Sequence, residues 1–373
     1  MKKKILLIFG TRPEAIKLAP LVKEFQKHPH LFEIKVCVTA QHREMLDQVL
    51  DFFNIIPEYD LDLMKPGQNL HDLTADIITN LKPVLEDYNP DYVFVHGDTT
   101  TTMAGSIASF YSGAKVCHVE AGLRTHNKLS PFPEEINRQI TGRVCDYHFA
   151  PTITSKVNLL KENIQEDIIL VTGNTVIDAL LDSLERVNQE PSSLINDFSI
   201  TLGDKELILV TGHRRENLGA GLIRICEALK EIAQDNTDRL IVYPVHLNPK
   251  VQKTVKHILS GLDNIILIDP LAYQDFIWMM NRAKIIITDS GGVQEEAPSL
   301  GKPVLVTRDT TERPEALDAG TVILVGTNKE LIVTEALDLL NNAARFEQMS
   351  LLHNPYGDGK ACERIVDFID TLV

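Results

Sequence analysis

The sequence predicts an α/β protein made of two Rossmann-like halves, each a parallel sheet with helices on both faces. Three observations carry this. Apolar runs of four to six residues alternate with helix-period stretches along the chain. The rhythm stalls over one polar stretch, NQEPSSLINDFSITLGD, and then resumes. The first strand of each series ends alike, in IFGTRPE and in VTGHRRE, so that both read apolar strand, Gly, x, Arg, x, Glu.

Taken in order, residues 4–9 read as a strand and 15–27 as a helix, followed by a strand at 34–39 and a helix at 43–53. A helix over 70–86 leads to a strand at 92–96, and a helix over 101–112 to a strand at 115–119. Strands follow at 147–150 and 168–172. The stalled stretch reads as a connection or a poorly formed helix and loop. The second series places strands at 207–211, 240–244, 265–268, 285–288 and 304–307. The expected domains are 1–172 and 173–359, with the last helix, 360–373, packing back onto the first. In such sheets ligands bind beyond the carboxyl ends of the strands.

Composition narrows the function. The 373 residues carry 37 Lys and Arg against 52 Asp and Glu, a net charge of −15, which disfavours nucleic acid and acidic membrane as partners. A small phosphorylated ligand needs only a few local cations and stays open. The five cysteines are far apart and form no CxxC pair, so neither a zinc ribbon nor a disulfide scaffold is expected. The apolar stretch after MKKK is too short for a signal peptide, and no run is long enough to span a bilayer. A reducing cytoplasm is the expected location. Neither GxGxxG nor GxxxxGK[ST] occurs, which counts against a dinucleotide enzyme and a P-loop NTPase. No HExxH spacing occurs, and no metal or other cofactor is expected.

Several strand-end motifs carry polar groups. Asp289-Ser290-Gly291-Gly292 opens a helix, where free N–H groups and the helix end suit a phosphate, although a plain turn has the same composition. Glu295 and Glu296 follow; acids there stabilise a helix, and one of them can also accept ribose hydroxyls. HGDTTTT places Asp98 either as a helix N-cap or as a site carboxylate. HVEAGLR sets Glu120 at the end of the neighbouring strand, and PFPEE sets Glu134 at a helix start, where acids are also ordinary. His213 stands where the first half has Thr11, next to Arg214 and Arg215, which attract anions. His246 ends YPVH, and Arg308 and Arg313 lie in RDTTERPE.

GTRPEAIKLAP, TAQHREMLDQ, HGDTTTT, HVEAGLRT, PFPEEINR, TGHRRENLG, YPVHLNP, TDSGGVQEEAPSLGKPV, RDTTERPEA and NPYGDGKA form a series spanning almost the whole chain. Together they closely resemble the bacterial non-hydrolysing UDP-N-acetylglucosamine 2-epimerases. The resemblance implies a glycosyltransferase-B architecture, two Rossmann-like domains around a central cleft, commonly as a homodimer. It implies interconversion of UDP-N-acetylglucosamine and UDP-N-acetylmannosamine through UDP and 2-acetamidoglucal, supplying N-acetylmannosamine units for cell-surface polysaccharide. Carried over by motif, Asp98, Glu120, Glu134 and His213 form the acid–base set, with Arg138 near it. Arg12, Lys17 and Arg313 meet the nucleotide; Ser290, Gly291 and Gly292 hold phosphate; Glu296 takes the ribose; Leu271 and Phe276 mark the uracil region. A second, activating UDP-N-acetylglucosamine is implied beside Gln41, Glu44, Arg214 and His246, where this chain reads QHRE and some members QHRQ.

The chemistry explains the residue types. C1 of a UDP-hexosamine is an acetal carbon, so C2–H acidifies only as the C1–oxygen bond breaks. Cations must meet departing UDP, an acid must stand near the leaving oxygen, and carboxylates must serve C2. The site is therefore expected to be cationic around the diphosphate despite the charge of the whole chain. Three alternatives use similar elements: a retaining glycosyltransferase of the same architecture, a hydrolysing epimerase, and a nucleotide-sugar sensor.

Overall fold

Strand β1 (Lys3–Phe9) is apolar after its two lysines and buried from Ile5 onward, as a strand covered on both faces must be. In the computed structural model, which describes residues 2–40, 43–65, 67–212 and 214–372 and only the backbone of Glu44 and Arg215, it is central to a parallel sheet. The other strands are β2 (Phe32–Val38), β3 (Tyr59–Asp60), β4 (Tyr92–His96), β5 (Lys115–Val119), β6 (Tyr147–Ala150) and β7 (Ile169–Val171). Their order is β3-β2-β1-β4-β5-β6-β7, with every pairing parallel. The helices are α1 (Arg12–Gln26), α2 (Arg43–Phe52), α3 (Leu70–Tyr88), α4 (Thr100–Tyr111), α5 (Glu134–Val144), α6 (Ile153–Lys161) and α7 (Thr175–Gln189).

The second sheet contains β8 (Leu207–Thr211), β9 (Leu240–Pro244), β10 (Ile265–Ile268), β11 (Ala283–Thr288), β12 (Val304–Val306) and β13 (Val322–Leu324). Its order, β10-β9-β8-β11-β12-β13, repeats that of the first sheet. The helices are α8 (Ser193–Leu202), α9 (Ala220–Asp235), α10 (Pro249–Leu259), α11 (Tyr273–Arg282), α12 (Gly291–Glu296), α13 (Pro314–Asp318), α14 (Lys329–Asn341), α15 (Ala343–Ser350) and α16 (Ala361–Thr371). The architecture is the expected α/β class with two Rossmann-like halves.

The chain divides into a first unit, Met1–Ala179 with Tyr356–Val373, and a second, Leu180–Pro355. Residues 173–179 thus lie in the first unit and not, as the sequence reading had them, in the second. The reason is local: the Asp178 carboxylate accepts the backbone N–H groups of Ala361 and Cys362 at 3.2 and 2.8 Å. At the other end of α16, Lys3 Nζ donates to the carbonyls of Ile369 and Asp370.

The stalled stretch is helical on both sides of one break. Pro191 interrupts the helix, and Ser192 starts α8 by accepting the N–H of Ile195. Two strands carry too little pattern to be read from sequence. β3 is two residues long and pairs only as Cys37↔Tyr59 and Val38↔Asp60; β13 is three residues long. Among the described residues, no helix is long and apolar enough to cross a membrane.

Candidate functional site

In each sheet the winding reverses beside the central strand, between β1 and β4 and between β8 and β11. The loops at those strand ends diverge and leave room for a ligand. The echoed turns follow β1 and β8, and HGDTTTT and DSGG follow β4 and β11.

In the first unit, Gly10 is required by close approach: a Cβ there would lie 2.0 Å from Thr39 Oγ1 and 2.7 Å from Thr101 Oγ1. Thr11 caps α1, and Glu14 completes a capping box. Glu14 is 1 % exposed, and its carboxylate accepts the N–H groups of Gly10 and Thr11 and the hydroxyls of Thr99 and Thr102. It thereby ties the Arg12 turn to the Asp98 turn. Burial pushes its proton affinity up, against those hydrogen bonds.

Asp98 is not the N-cap of α4. Thr99 fills that place, accepting the N–H of Thr102. The Asp98 carboxylate is instead ion-paired with Arg138 of α5, and its carbonyl accepts the Asn137 amide at 2.9 Å. Arg138 also reaches Glu135 at 3.3 Å. Burial raises the Glu135 carboxyl, but the N–H of Thr125, the Gln139 amide and the Arg138 charge outweigh it and leave it below its ordinary value.

Glu120 follows β5 in the left-handed backbone region, at φ +63°. Its Oε2 is ion-paired with Lys17, accepts the Asn174 amide at 2.8 Å and lies 3.8 Å from His96 Nε2. Burial lowers His96 to about 4, although Glu120 pulls the other way, so its ring is neutral near pH 7. Glu134 begins α5 and is half-buried, lining an open pocket of 410 Å³ with Thr11, Thr99, Thr100 and Asn137.

In the second unit, buried Asp289 accepts the N–H of Arg214 at 2.9 Å and the Asn217 amide at 3.3 Å, joining the turn after β8 to the DSGG loop. Ser290 precedes α12, and its N–H donates to Thr288 Oγ1. A Cβ on Gly291 would lie 3.9 Å from Arg313 Cζ and 4.0 Å from Arg214 Nη2, so two guanidinium groups converge on that glycine. A Cβ on Gly292 would lie 3.9 Å from Glu296 Oε1, which places that carboxylate over the loop. Glu295 instead points inward, 2 % exposed, and is ion-paired with Arg313. Leu271 and Phe276, before and on α11, are half-buried.

The structure thus gathers Asp98, Glu120, Lys17 and Arg138 around neighbouring strand ends of the first unit. It gathers Ser290, Gly291, Gly292, Glu296, Arg214 and Arg313 at those of the second. Arg12 is half-buried at the start of α1. His246 is exposed after β9, its Nδ1 accepting the Asn248 N–H at 3.1 Å. Gln41, His213 and the Glu44 side chain lie outside the described residues. The first unit's strand ends are not simply cationic, since Lys17 and Arg138 sit on carboxylates. Among the described residues, no group of three or more His, Cys, Asp or Glu side chains is placed to hold a metal ion. Sequence reasoning missed Glu14, His96, Asn174 and Asp289 as supports of these groups. Glu14 and Asp289 stood inside quoted motifs, and only Asn174, in VTGNT, had no motif around it.

Residues 23–370 match a family model described as UDP-N-acetylglucosamine 2-epimerase. The chain is 58 % identical to the UDP-N-acetylglucosamine 2-epimerase of Escherichia coli K12, over 98 % of this chain and 97 % of that one. It is similar to a crystal structure from Listeria monocytogenes, with a TM-score of 0.94, 50 % identity and coverage of 100 % of this chain and 96 % of that one. It is also similar to the UDP-GlcNAc 2-epimerase of Neisseria meningitidis bound to UDP-GlcNAc, with a TM-score of 0.87, 50 % identity and coverage of 98 % and 99 %.

Proposed function

The chain belongs to the UDP-N-acetylglucosamine 2-epimerase family and is an epimerase of that nucleotide sugar, and on that premise we propose that it inverts C2 by eliminating and re-adding UDP. In the forward step the bond from C1 to the UDP oxygen breaks and a carboxylate takes the C2 proton. A C1=C2 double bond forms, giving 2-acetamidoglucal and UDP. UDP then adds back to C1 while a proton reaches the opposite face of C2, giving UDP-N-acetylmannosamine. No electrons are gained or lost overall, and no cofactor is called for.

The observation that carries this reading is the pair of anchored carboxylates at neighbouring strand ends, Asp98 on Arg138 and Glu120 on Lys17 and Asn174. Fixed carboxylates suit proton transfer at carbon, where reach and angle govern the rate. Glu134 completes the carboxylate set, and His213 protonates the leaving oxygen. Backbone and hydroxyl groups of Ser290, Gly291 and Gly292 hold the diphosphate, with Arg313, Arg12 and Lys17 countering its charge. Glu296 takes the ribose hydroxyls, and Leu271 and Phe276 flank uracil. Binding of UDP-GlcNAc by the Neisseria relative supports the substrate assignment.

The same reading includes activation by a second UDP-N-acetylglucosamine at Gln41, Glu44, Arg214 and His246. It includes a homodimer, which the exposed Phe110 and Tyr111 at the end of α4 favour, and work in the cytoplasm, which five free buried cysteines favour. The product then supplies N-acetylmannosamine units for a surface polysaccharide.

One proton NMR time course on UDP-N-acetylglucosamine in heavy water tests the core of the reading. The expected record is UDP-N-acetylmannosamine growing in, deuterium entering C2 of both sugars, and no stoichiometric release of UDP. Epimerisation without label at C2 rejects elimination, and accumulating free sugar with UDP makes the enzyme a hydrolase. For activation, reaction from UDP-N-acetylmannosamine alone should stall until UDP-N-acetylglucosamine is added; hyperbolic kinetics without a lag argue against a second site.

A further inference from the structure

The NPYGDG segment that returns the chain to the first unit touches no part of the proposed chemistry, yet it is built against a residue that does. Tyr356 is 2 % exposed, and its carbonyl accepts the backbone N–H of Asn174 at 2.7 Å. Gly173 and Gly357 lie back to back: a Cβ on Gly173 would lie 3.3 Å from Gly357 Cα, and one on Gly357 would lie 3.5 Å from Asn174 N. Both glycines have positive φ, +90° and +133°. Arg364 donates to the carbonyl of Thr172 and to Asp358, closing the segment over the end of β7. Asn174 itself is 2 % exposed. Its Oδ1 accepts the N–H of Val176 at 3.0 Å, which fixes the amide plane and aims Nδ2 at Glu120 Oε2, 2.8 Å away.

We propose that Asn174, clamped by the Tyr356–Gly357 segment, is a positioning residue that fixes the carboxylate of Glu120 for proton transfer at C2. The inference rests on the reading of Glu120 as a member of the acid–base set. Glu120 leaves its strand through a left-handed residue, a conformation that costs an L-residue about 1 kcal/mol and leaves its side chain dependent on outside partners for direction. Lys17 on α1 is a flexible cation that holds charge but not angle. The Asn174 amide is planar, buried and locked by its own second hydrogen bond, so it supplies the angle. Among the described residues, Lys17 from α1 and His96 from β4 are titratable groups that face Glu120. Asn174 adds a neutral donor, which favours the ionised carboxylate.

The experiment compares Asn174→Ala, Asn174→Asp, Asn174→Ser, Gly357→Ala and Glu120→Gln in the full-length enzyme. It measures kcat, KM, the pH profile of kcat, UDP affinity and thermal melting. Asn174→Ala is expected to lower kcat by roughly 10- to 100-fold, with KM and UDP affinity within about threefold of wild type. The acid limb of its kcat profile should move to higher pH, because a donor to the carboxylate is gone. Asn174→Asp should move that limb further, since a second carboxylate then faces the first. Asn174→Ser, which keeps a donor, should recover part of kcat, and Gly357→Ala should reproduce a milder form of the Asn174→Ala profile. Wild-type kcat and pH profile in Asn174→Ala overturn the inference, as does a fall in kcat tracking lost melting temperature and UDP affinity. If Asn174→Ala does not fold, Asn174→Ser and Gly357→Ala decide by the same pH criterion. If Glu120→Gln turns over normally, the reading of Glu120 fails and the inference falls with it. If Glu120→Gln is dead while the Asn174 and Gly357 variants match wild type, only the inference fails.

Discussion

Arg138 holds the carboxylate of Asp98 from a helix forty positions further along the chain, and its second nitrogen reaches Glu135. A planar guanidinium reaches the two acids from separate nitrogens held in a rigid fork, whereas an ammonium offers one nitrogen on a flexible stem. Arg138→Lys should therefore lower kcat by roughly tenfold or more while UDP affinity changes little. Steady-state kinetics with a parallel UDP titration checks this. A loss confined to UDP affinity would instead place Arg138 on the nucleotide.

Glu14 gathers two backbone N–H groups and two threonine hydroxyls around one buried carboxylate. Glu14→Ala strands these donors and should cost at least about 2 kcal/mol of stability. Glu14→Gln keeps an acceptor and should cost less. The wild-type group also has a pH signature. Its folded proton affinity lies above the ordinary 4.5, so its contribution is present below that pH and is lost as pH rises through the folded value. Chemical denaturation of wild type and Glu14→Gln between pH 4 and 8 should show the difference.

Buried histidines act in the opposite sense. Burial lowers His96 and His148 to about 4 and His118 to about 3, from an ordinary 6.5. Below pH 6.5 the unfolded chain takes up protons that the folded chain refuses. Stability is therefore present above 6.5 and is lost as pH falls toward 4, by about 1.4 kcal/mol per pH unit for each such proton. Among the described residues, neither ring nitrogen of His148 has a hydrogen-bond partner. His148→Phe should remove one proton from the slope and make the protein relatively more stable at pH 5 than at pH 7.5. An unchanged slope would place that histidine in water.

Glu295 and Glu296 are neighbours with opposite fates. Glu295 is buried on Arg313, whereas Glu296 turns over Gly292. Glu295→Ala should lower the melting temperature by several degrees, because it removes the buried carboxylate that is ion-paired with the Arg313 guanidinium. Glu296→Ala should leave melting nearly unchanged and weaken UDP binding by roughly tenfold, the scale of one lost charge-assisted hydrogen bond. Calorimetry on both variants separates the two.

The division of labour between sequence and tertiary structure is visible in these residues. The central strands were legible because strands buried on both faces must be apolar throughout, as in LLIF and YVFVH. β3 and β13 were not, since two or three residues at a sheet edge need no pattern of their own. Asp98 and Glu120 were legible because polar groups directly after buried strands stand out against them, and Gly291 and Glu296 because they belong to a glycine motif that opens a helix and the acids that follow it. What they touch was not: the partners of Asp98 and Glu120 lie 40, 54 and 103 positions away.

The sequence by itself determined the class of the protein. Hydrophobic period fixed the alternation of strand and helix, and ten ordered motifs fixed the family. Tertiary structure alone decided how the acidic groups are used. It made Thr99 and not Asp98 the helix cap, sent Glu295 inward and Glu296 outward, and brought Asn174 to Glu120. The physical reason is that periodicity is a local property carried by each segment. Ion pairs and hydrogen bonds depend on which strand ends the sheet order places side by side.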